Sequence, residues 1–589
     1  MTKRFVWALS AALLLSACGS GEKTTPSAVI NTPQGPVQGV VSEAGITNVK
    51  GIPFAQPPVG DLRWRPPVAP TAWAETRDAT EFAPMCMQKQ GSGTGGFLDR
   101  IVDGSGLSAI KRALVKRVAA SLPVSEISED CLYLNIRTPA ASPEAPLPVM
   151  VWIHGGGHQF GSGDFSYYQS DVLPSHGVVL VTLNYRLGAF GYLAHPALSA
   201  DDPRGVSGNY GTLDQIAALE WVEGNISAYG GDPDNVTIFG ESAGAWSVTE
   251  LMASPLAKGL FDKAIGQSGA STYHMGQMSG DGVVWVSGYA SAKKLDNVLG
   301  LDNPSASELR ALPAQTIIDA VTEEITDGFH HNRDGVVFPD NVGIALKTGR
   351  YHAVPTLLGY NADEGSLFYP TDQEPTVWME GFPKDGSRDD MIAALSEHFP
   401  TQAETLVDLY NLDGGEEALF QGGMDMMGDE IFGVNVRYVA QISERNAQPA
   451  WLYTFNRVPP SDSQTIGAYH AAELPFVFDS HEPILGLSDE DEALTAVMVD
   501  YWTDFAKTGN PNGTALIDWP QYQGQNWMAF EANTGEQTRL ITNHRKEKLD
   551  ALSEGLSKKL TDLQDWQATN AIRPQSSQGS AVSGSPQAE

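Results

Sequence analysis

The sequence predicts an α/β protein, with a large, mostly parallel central sheet flanked by helices on both faces. Three observations carry this expectation. Short runs of Val, Ile and Leu alternate with longer stretches of helical spacing. Several of those runs are apolar at every position, as strands buried on both faces require. The chain has 589 residues, 42% hydrophobic and only 18% charged, which is enough to build a large core. Strands separated by helices favour parallel pairing, and reactive groups then collect at the carboxyl ends of the strands.

At the N-terminus, Lys3 and Arg4 precede an apolar run from Phe5 to Leu15, and the segment closes Leu15-Ser16-Ala17-Cys18. A basic start, a short apolar stretch and small residues at its end predict an export signal over 1–18, too short to span a bilayer comfortably. A buried N-terminal helix is the alternative. The closing four residues resemble the lipobox of bacterial lipoproteins, which implies lipidation of Cys18 and anchoring to a membrane of the cell envelope, with release as a further option. Residues 19–28 are read as a polar tether.

The body, 29–566, shows no linker-like break and no internal repeat, and is read as one domain. Val149–Ile153 and Val178–Leu183 are continuous apolar runs. Thr212–Tyr229 has helical spacing and is stopped by Gly230-Gly231-Asp232-Pro233. Val236–Phe239, Pro355–Gly359 and Ala450–Phe455 are further strands. The Ser/Gly/Gln-rich tail, 570–589, is expected to be disordered. The net charge of −34 would repel a phosphate backbone, so no nucleic-acid partner is expected. Of three cysteines, Cys86 and Cys131 remain after the signal; export predicts that they form a disulfide closing a loop of roughly 45 residues.

The chemistry is carried by Gly240-Glu241-Ser242-Ala243-Gly244, placed directly after the strand ending at Phe239 and before a helical stretch. This is a G-x-S-x-G nucleophile elbow, so tight that a Cβ two positions either side of the serine would strike backbone. A serine hydroxyl needs a base, and the base an orienting acid. Among 12 histidines, His470, which enters a loop after the 450–455 strand, is one candidate of several. Asp363 and Glu364 follow the 355–359 strand, and adjacent residues point apart, so only one of them can face the histidine. His154-Gly155-Gly156-Gly157 follows the 149–153 strand, and its glycines let backbone N–H groups approach a substrate. With the N–H of Ala243 they would form an oxyanion hole.

With these segments in collinear order, and with Gly51–Ala55, Ser128–Asn135, Gly208–Gly211, Gln267–Gly269 and Tyr501–Ala506 beside them, the chain resembles the type B carboxylesterases, the group that includes para-nitrobenzyl esterases and cholinesterases. The resemblance runs from about Val37 to Trp527. It implies an α/β-hydrolase fold with long loop insertions over the active site. It also implies a triad of Ser242, Glu364 (rather than Asp363) and His470, oxyanion donors at Gly156, Gly157 and Ala243, and a Cys86–Cys131 disulfide. Glu241 and Ser268 resemble groups that steady the base. Two departures stand out. His158 occupies a position where the family more often has an aromatic residue, which predicts a more polar acyl pocket. The span Met87–Asp130 lacks the tryptophan with which cholinesterases hold a quaternary ammonium.

The expected function is therefore hydrolysis of a small carboxylic ester through an acyl-enzyme, with no metal and no organic cofactor. His330-His331 is the nearest approach to a metal cluster, and adjacent histidines are more often surface or loop residues. Activity is expected to fall on the acid side with an apparent pKa of about 6–7. Lipase or amidase action on the same triad, or a non-catalytic binding or adhesion role, are the alternatives. Acyl size, natural substrate, enantiopreference and oligomeric state are not written in these motifs. The basic stretch 108–118, with Ile110, Leu114 and Val118 on one face, is read as a solvated helix docking its cations on acidic groups; a lid, or a helix leaning on anionic lipid, is the other reading.

Overall fold

The computed structural model describes residues 24–569 except for 90–93, 120–125, 140–144, 280–285, 322–328, 369–386, 459–463, 482–486, 514–515 and 534–535. The export signal and the C-terminal tail fall outside the described residues.

One sheet of twelve strands organises the chain. In chain order these are β1 (Thr25–Pro26), β2 (Val40–Val41), β3 (Thr47–Pro53), β4 (Tyr133–Thr138), β5 (Leu147–Ile153), β6 (Val179–Leu183), β7 (Gly231–Glu241), β8 (Lys263–Gln267), β9 (Thr356–Asn361), β10 (Ala450–Phe455), β11 (Asn526–Asn533) and β12 (Glu536–Thr542). Their spatial order is β1-β2-β3-β4-β6-β5-β7-β8-β9-β10-β11-β12. The seven strands from β6 to β11 pair in parallel. The flanking pairs are antiparallel.

The continuous apolar runs have the cause expected of them. Along β5, Val149, Val151 and Ile153 enter one core while Met150 and Trp152 enter the other. The first core is closed by α3 (Tyr210–Asn225), through Leu213, Ile216, Leu219 and Val222, and by α4 (Ala243–Ala253), through Val248, Leu251 and Met252. The second is closed by α5 (Asp489–Thr508), through Leu494, Met498, Trp502 and Phe505. Burying a side chain of this size stabilises by roughly 1.5–3 kcal/mol relative to exposure, so a strand with no polar face is held from both sides. The helix α5 begins at a capping box, Ser488 with Asp491, that satisfies its first free N–H groups.

Three details differ from, or refine, the sequence reading. Thr25–Pro26, assigned to the tether, instead pairs with Val40–Val41, and Ser27 behind it is buried with its N–H donating to the Gly39 carbonyl. The disulfide joins Cys86 and Cys131, with Cα atoms 4.9 Å apart. The basic stretch forms α2 (Ala109–Ala119) beside α1 (Thr94–Gly104). Lys116 lies 2.8 Å from Asp103 and 3.3 Å from Asp99, while Ile110 stands 83% exposed. Lys116, and at 3.8 Å Arg112, thus dock on acids of the preceding helix.

Candidate active site

Strands β5 and β7 are hydrogen-bonded neighbours, with Ile153 opposite Gly240. The loops that leave their carboxyl ends, 154–157 and 241–244, therefore emerge side by side. Strands β9 and β10 are likewise paired, with Asn361 opposite Phe455, so the acid at 364 and the loop carrying His470 come to the same edge.

The turn at Ser242 is strained. Its backbone lies at φ 56°, ψ −124°, outside the region a β-carbon ordinarily tolerates. It is held there by the Ser242 N–H, which donates to the Gln267 carbonyl at 2.9 Å, and by the Trp246 N–H, which donates to the Ser242 carbonyl at 3.0 Å. Only glycine fits at 244, because a Cβ there would stand 2.0 Å from the Ile153 carbonyl oxygen. The hydroxyl so presented sits at the N-terminus of α4, where the helix dipole favours developing negative charge.

The glycine loop is stiffened from beneath. The His154 ring is buried and stacked on Tyr185, with centroids 4.4 Å apart, and the Tyr185 hydroxyl donates to the His154 carbonyl at 2.9 Å. Gly156 and Gly157 adopt φ 103° and 61°, and a Cβ on Gly156 would meet the Phe160 carbonyl at 2.1 Å. Ala243 opens α4. Three N–H groups from two adjoining loops can thus converge in front of the serine, which is the arrangement that stabilises an oxyanion.

The imidazole of His470 is 5% exposed and sandwiched by aromatic rings, Phe432 at 5.0 Å and Phe368 at 4.9 Å. Its Nδ1 lies 2.5 Å from Glu364 Oε2, and the other oxygen, Oε1, accepts the Asn361 N–H at 2.7 Å. Asp363 does different work: its Oδ2 accepts the Ala468 N–H at 2.7 Å and shapes the turn before the histidine. On the other side of the ring, Nε2 is 3.1 Å from Glu241 Oε1, but out of line for a hydrogen bond. Nε2 makes no hydrogen bond to Ser242 Oγ among the described residues. In such sites that bond commonly tightens only when substrate binds.

Burial alone would lower the His470 pKa, but the negative charge of Glu241 and Glu364 outweighs it and pushes it up. Burial also raises Glu241, against the pull of His470. Two carboxylates face the ring, which favours an acid limb at or above the upper end of the expected range of about 6–7. Since the neutral imidazole is the base, activity is lost as pH falls through a raised value. The acid limb of kcat/KM is expected to lie above 6.5, and Glu241→Gln to move it down by about one unit or more. A wild-type limb at 6.5 or lower that Glu241→Gln leaves in place would contradict this reading.

Ser268 is buried at φ 50°, and its Oγ makes no hydrogen bond to His470 or to any other group among the described residues. The residues that do support the acid were not singled out in sequence. Asn361 Nδ2 donates to Glu473 Oε2 at 2.7 Å and to the Tyr469 carbonyl at 2.8 Å, and Gln267 Nε2 donates to Glu473 Oε1 at 3.1 Å. Gln267 stands inside the Gln267–Gly269 segment, and Asn361 and Glu473 lie three residues from Glu364 and His470, so nearness to those positions was the available signal. His158 is also not an open wall of an acyl pocket. It is 1% exposed, with Nε2 2.9 Å from Ser247 Oγ. His331 is 2% exposed rather than a surface residue.

Residues 26–552 match the carboxylesterase family. The chain is 35% identical to the fumonisin B1 esterase of Sphingopyxis macrogoltabida, covering 87% of each protein. It is 35% identical to the para-nitrobenzyl esterase of Bacillus subtilis, covering 84% of this chain and 92% of that one. Among solved structures it resembles a PNB esterase with a TM-score of 0.70 at 32% identity, covering 89% of this chain and 99% of that chain. It also resembles a Geobacillus stearothermophilus carboxylesterase with a TM-score of 0.72 at 31% identity, covering 89% of this chain and all of that one.

Proposed function

Because the chain belongs to the carboxylesterase family, has the α/β-hydrolase fold and is a carboxylic-ester hydrolase, we propose that it works through an acyl-enzyme on Ser242 with His470 as base and Glu364 as its orienting acid. Ser242 Oγ attacks the ester carbonyl while His470 Nε2 takes its proton. The C=O electron pair moves onto oxygen, where the N–H groups of Gly156, Gly157 and Ala243 meet it. Collapse expels the alcohol, to which His470 returns the proton, and leaves the acyl group on the serine. Water then repeats the sequence from the same side and releases the acid.

The observation that supports this most is the 2.5 Å contact between His470 Nδ1 and Glu364 Oε2, buried and flanked by aromatic rings. It fixes the proton on Nδ1 and leaves Nε2 as the basic nitrogen. Rapid mixing with a p-nitrophenyl ester is expected to give a burst of nitrophenolate approaching one equivalent per chain before the steady rate. A burst is the mark of an acyl-enzyme that forms faster than it is hydrolysed. A linear trace, with a hydroxylamine-insensitive rate, would oppose it. Running the same assay with anilides separates ester from amide preference.

The N-terminal segment supports a second element of this reading, attachment to a membrane through lipid on Cys18 after export. Among the described residues, no helix is long and apolar enough to cross a membrane. Cys18→Ala is expected to move the protein from the membrane to the soluble fraction of a bacterial host, and continued membrane fractionation would argue against the anchor.

A further inference from the structure

Behind the glycine loop lies a second group of ionisable side chains that the ester chemistry does not use. We propose that His158, Glu250 and His331 form a binding site for one zinc ion. Three segments far apart in the sequence bring them together. His158 directly follows the glycines of the 154–157 loop and is held by the Gly188 N–H, which donates to its carbonyl at 2.8 Å. Glu250 lies on α4, two turns beyond Ser242. His331 precedes the Asn332–Arg333 strand, and its carbonyl accepts the Gly276 N–H at 2.8 Å.

Each residue offers one ligand atom, and these atoms all lie within 4.8 Å of one another. The exposures are 1%, 1% and 2%. Glu250 Oε2 and His331 Nε2 are 2.9 Å apart, yet among the described residues neither atom has a hydrogen-bond partner in line. Two buried lone-pair donors thus face a common point without satisfying each other. Among the described residues, no lysine or arginine pairs with Glu250, so its carboxylate lacks the counter-charge that burial demands. His158 Nε2 is engaged by Ser247 Oγ, which accepts in turn from Gln215 Nε2 at 2.9 Å. That leaves Nδ1 as the nitrogen of His158 available to a metal, its ring oriented from the opposite side, as ligating histidines commonly are.

Two imidazoles and one carboxylate suit zinc better than calcium or magnesium, which prefer oxygen ligands. Zinc bonds of about 2.0–2.1 Å would place the donors about 3.3 Å apart in a tetrahedron. Glu250 Oε2 and His331 Nε2, now 2.9 Å apart, would separate a little to admit the ion, and any donor nearer the 4.8 Å limit would move inward. An ion there would tie the glycine loop, the nucleophile helix and the paired Gly276–Gln277 and Asn332–Arg333 strands to one point.

The test uses the full chain without a histidine tag, stripped with a chelator, incubated with zinc sulfate and passed through a desalting column. About one zinc per chain is expected to be retained and to raise Tm by several degrees. Glu250→Gln and His331→Asn, each checked for folding by circular dichroism, are expected to lose that retention. Cobalt(II) on the unmodified chain supplies a measurement that needs no variant, and intense visible bands of tetrahedral cobalt are expected. No retained zinc, retention unchanged in both folded variants, or the weak bands of octahedral cobalt would each overturn the proposal.

Discussion

Ser242→Ala is expected to lower kcat for a p-nitrophenyl ester by about a million-fold while leaving the fold and Tm essentially unchanged. The size of the loss follows from where the hydroxyl sits. Its strained turn is maintained by backbone bonds from Ser242 and Trp246 and by the absence of a β-carbon at 244, none of which involves Oγ. Removing the oxygen therefore takes away the nucleophile and little else. The residual rate would come from the oxyanion donors and from water, and amounts to roughly 10³–10⁴ over the uncatalysed reaction. A loss of only tenfold would mean that another group attacks the carbonyl.

Glu364→Gln is expected to cost about 10⁴-fold in kcat with the histidine still in place. The two carboxylate oxygens have separate duties: Oε1 accepts the Asn361 N–H and Oε2 accepts from His470 Nδ1. In the amide, the carbonyl oxygen keeps the Asn361 bond and the NH₂ is set against the ring. An NH₂ cannot accept, so the imidazole turns to the tautomer that carries its proton on Nε2. That nitrogen then has no lone pair with which to receive the serine proton. Glu364→Asp is expected to retain more activity, because the acceptor survives at a longer reach. Equal losses in the two variants would show that size rather than hydrogen-bond polarity decides.

How much of this was legible in sequence depended on distance along the chain. β5 and β6 could be read directly, because strands with Val149 and Met150 facing different cores must be apolar throughout. The elbow was equally plain, since Gly240 and Gly244 are local requirements of one turn. Thr25–Pro26 could not be read as a strand, being two residues whose partners are Val40–Val41. The choice between Asp363 and Glu364 was beyond spacing alone and came from family resemblance. In the structure, Asp363 is occupied by the Ala468 N–H, so their division of labour is a tertiary matter. The raised His470 pKa escaped for the same reason, because Glu241 and Glu364 reach the ring from different strands. The grouping of His158, Glu250 and His331 left no mark in any local pattern.

The account rests most heavily on Ser242 as the nucleophile activated by His470, a residue more than two hundred positions further along the chain. Treating the full chain with a fluorophosphonate and mapping the adduct by peptide mass spectrometry tests this most directly. One phosphonyl group on the peptide containing Ser242, absent from His470→Ala at the same exposure, is the expected result. An adduct on any other residue, or undiminished labelling of Ser242→Ala, would contradict it.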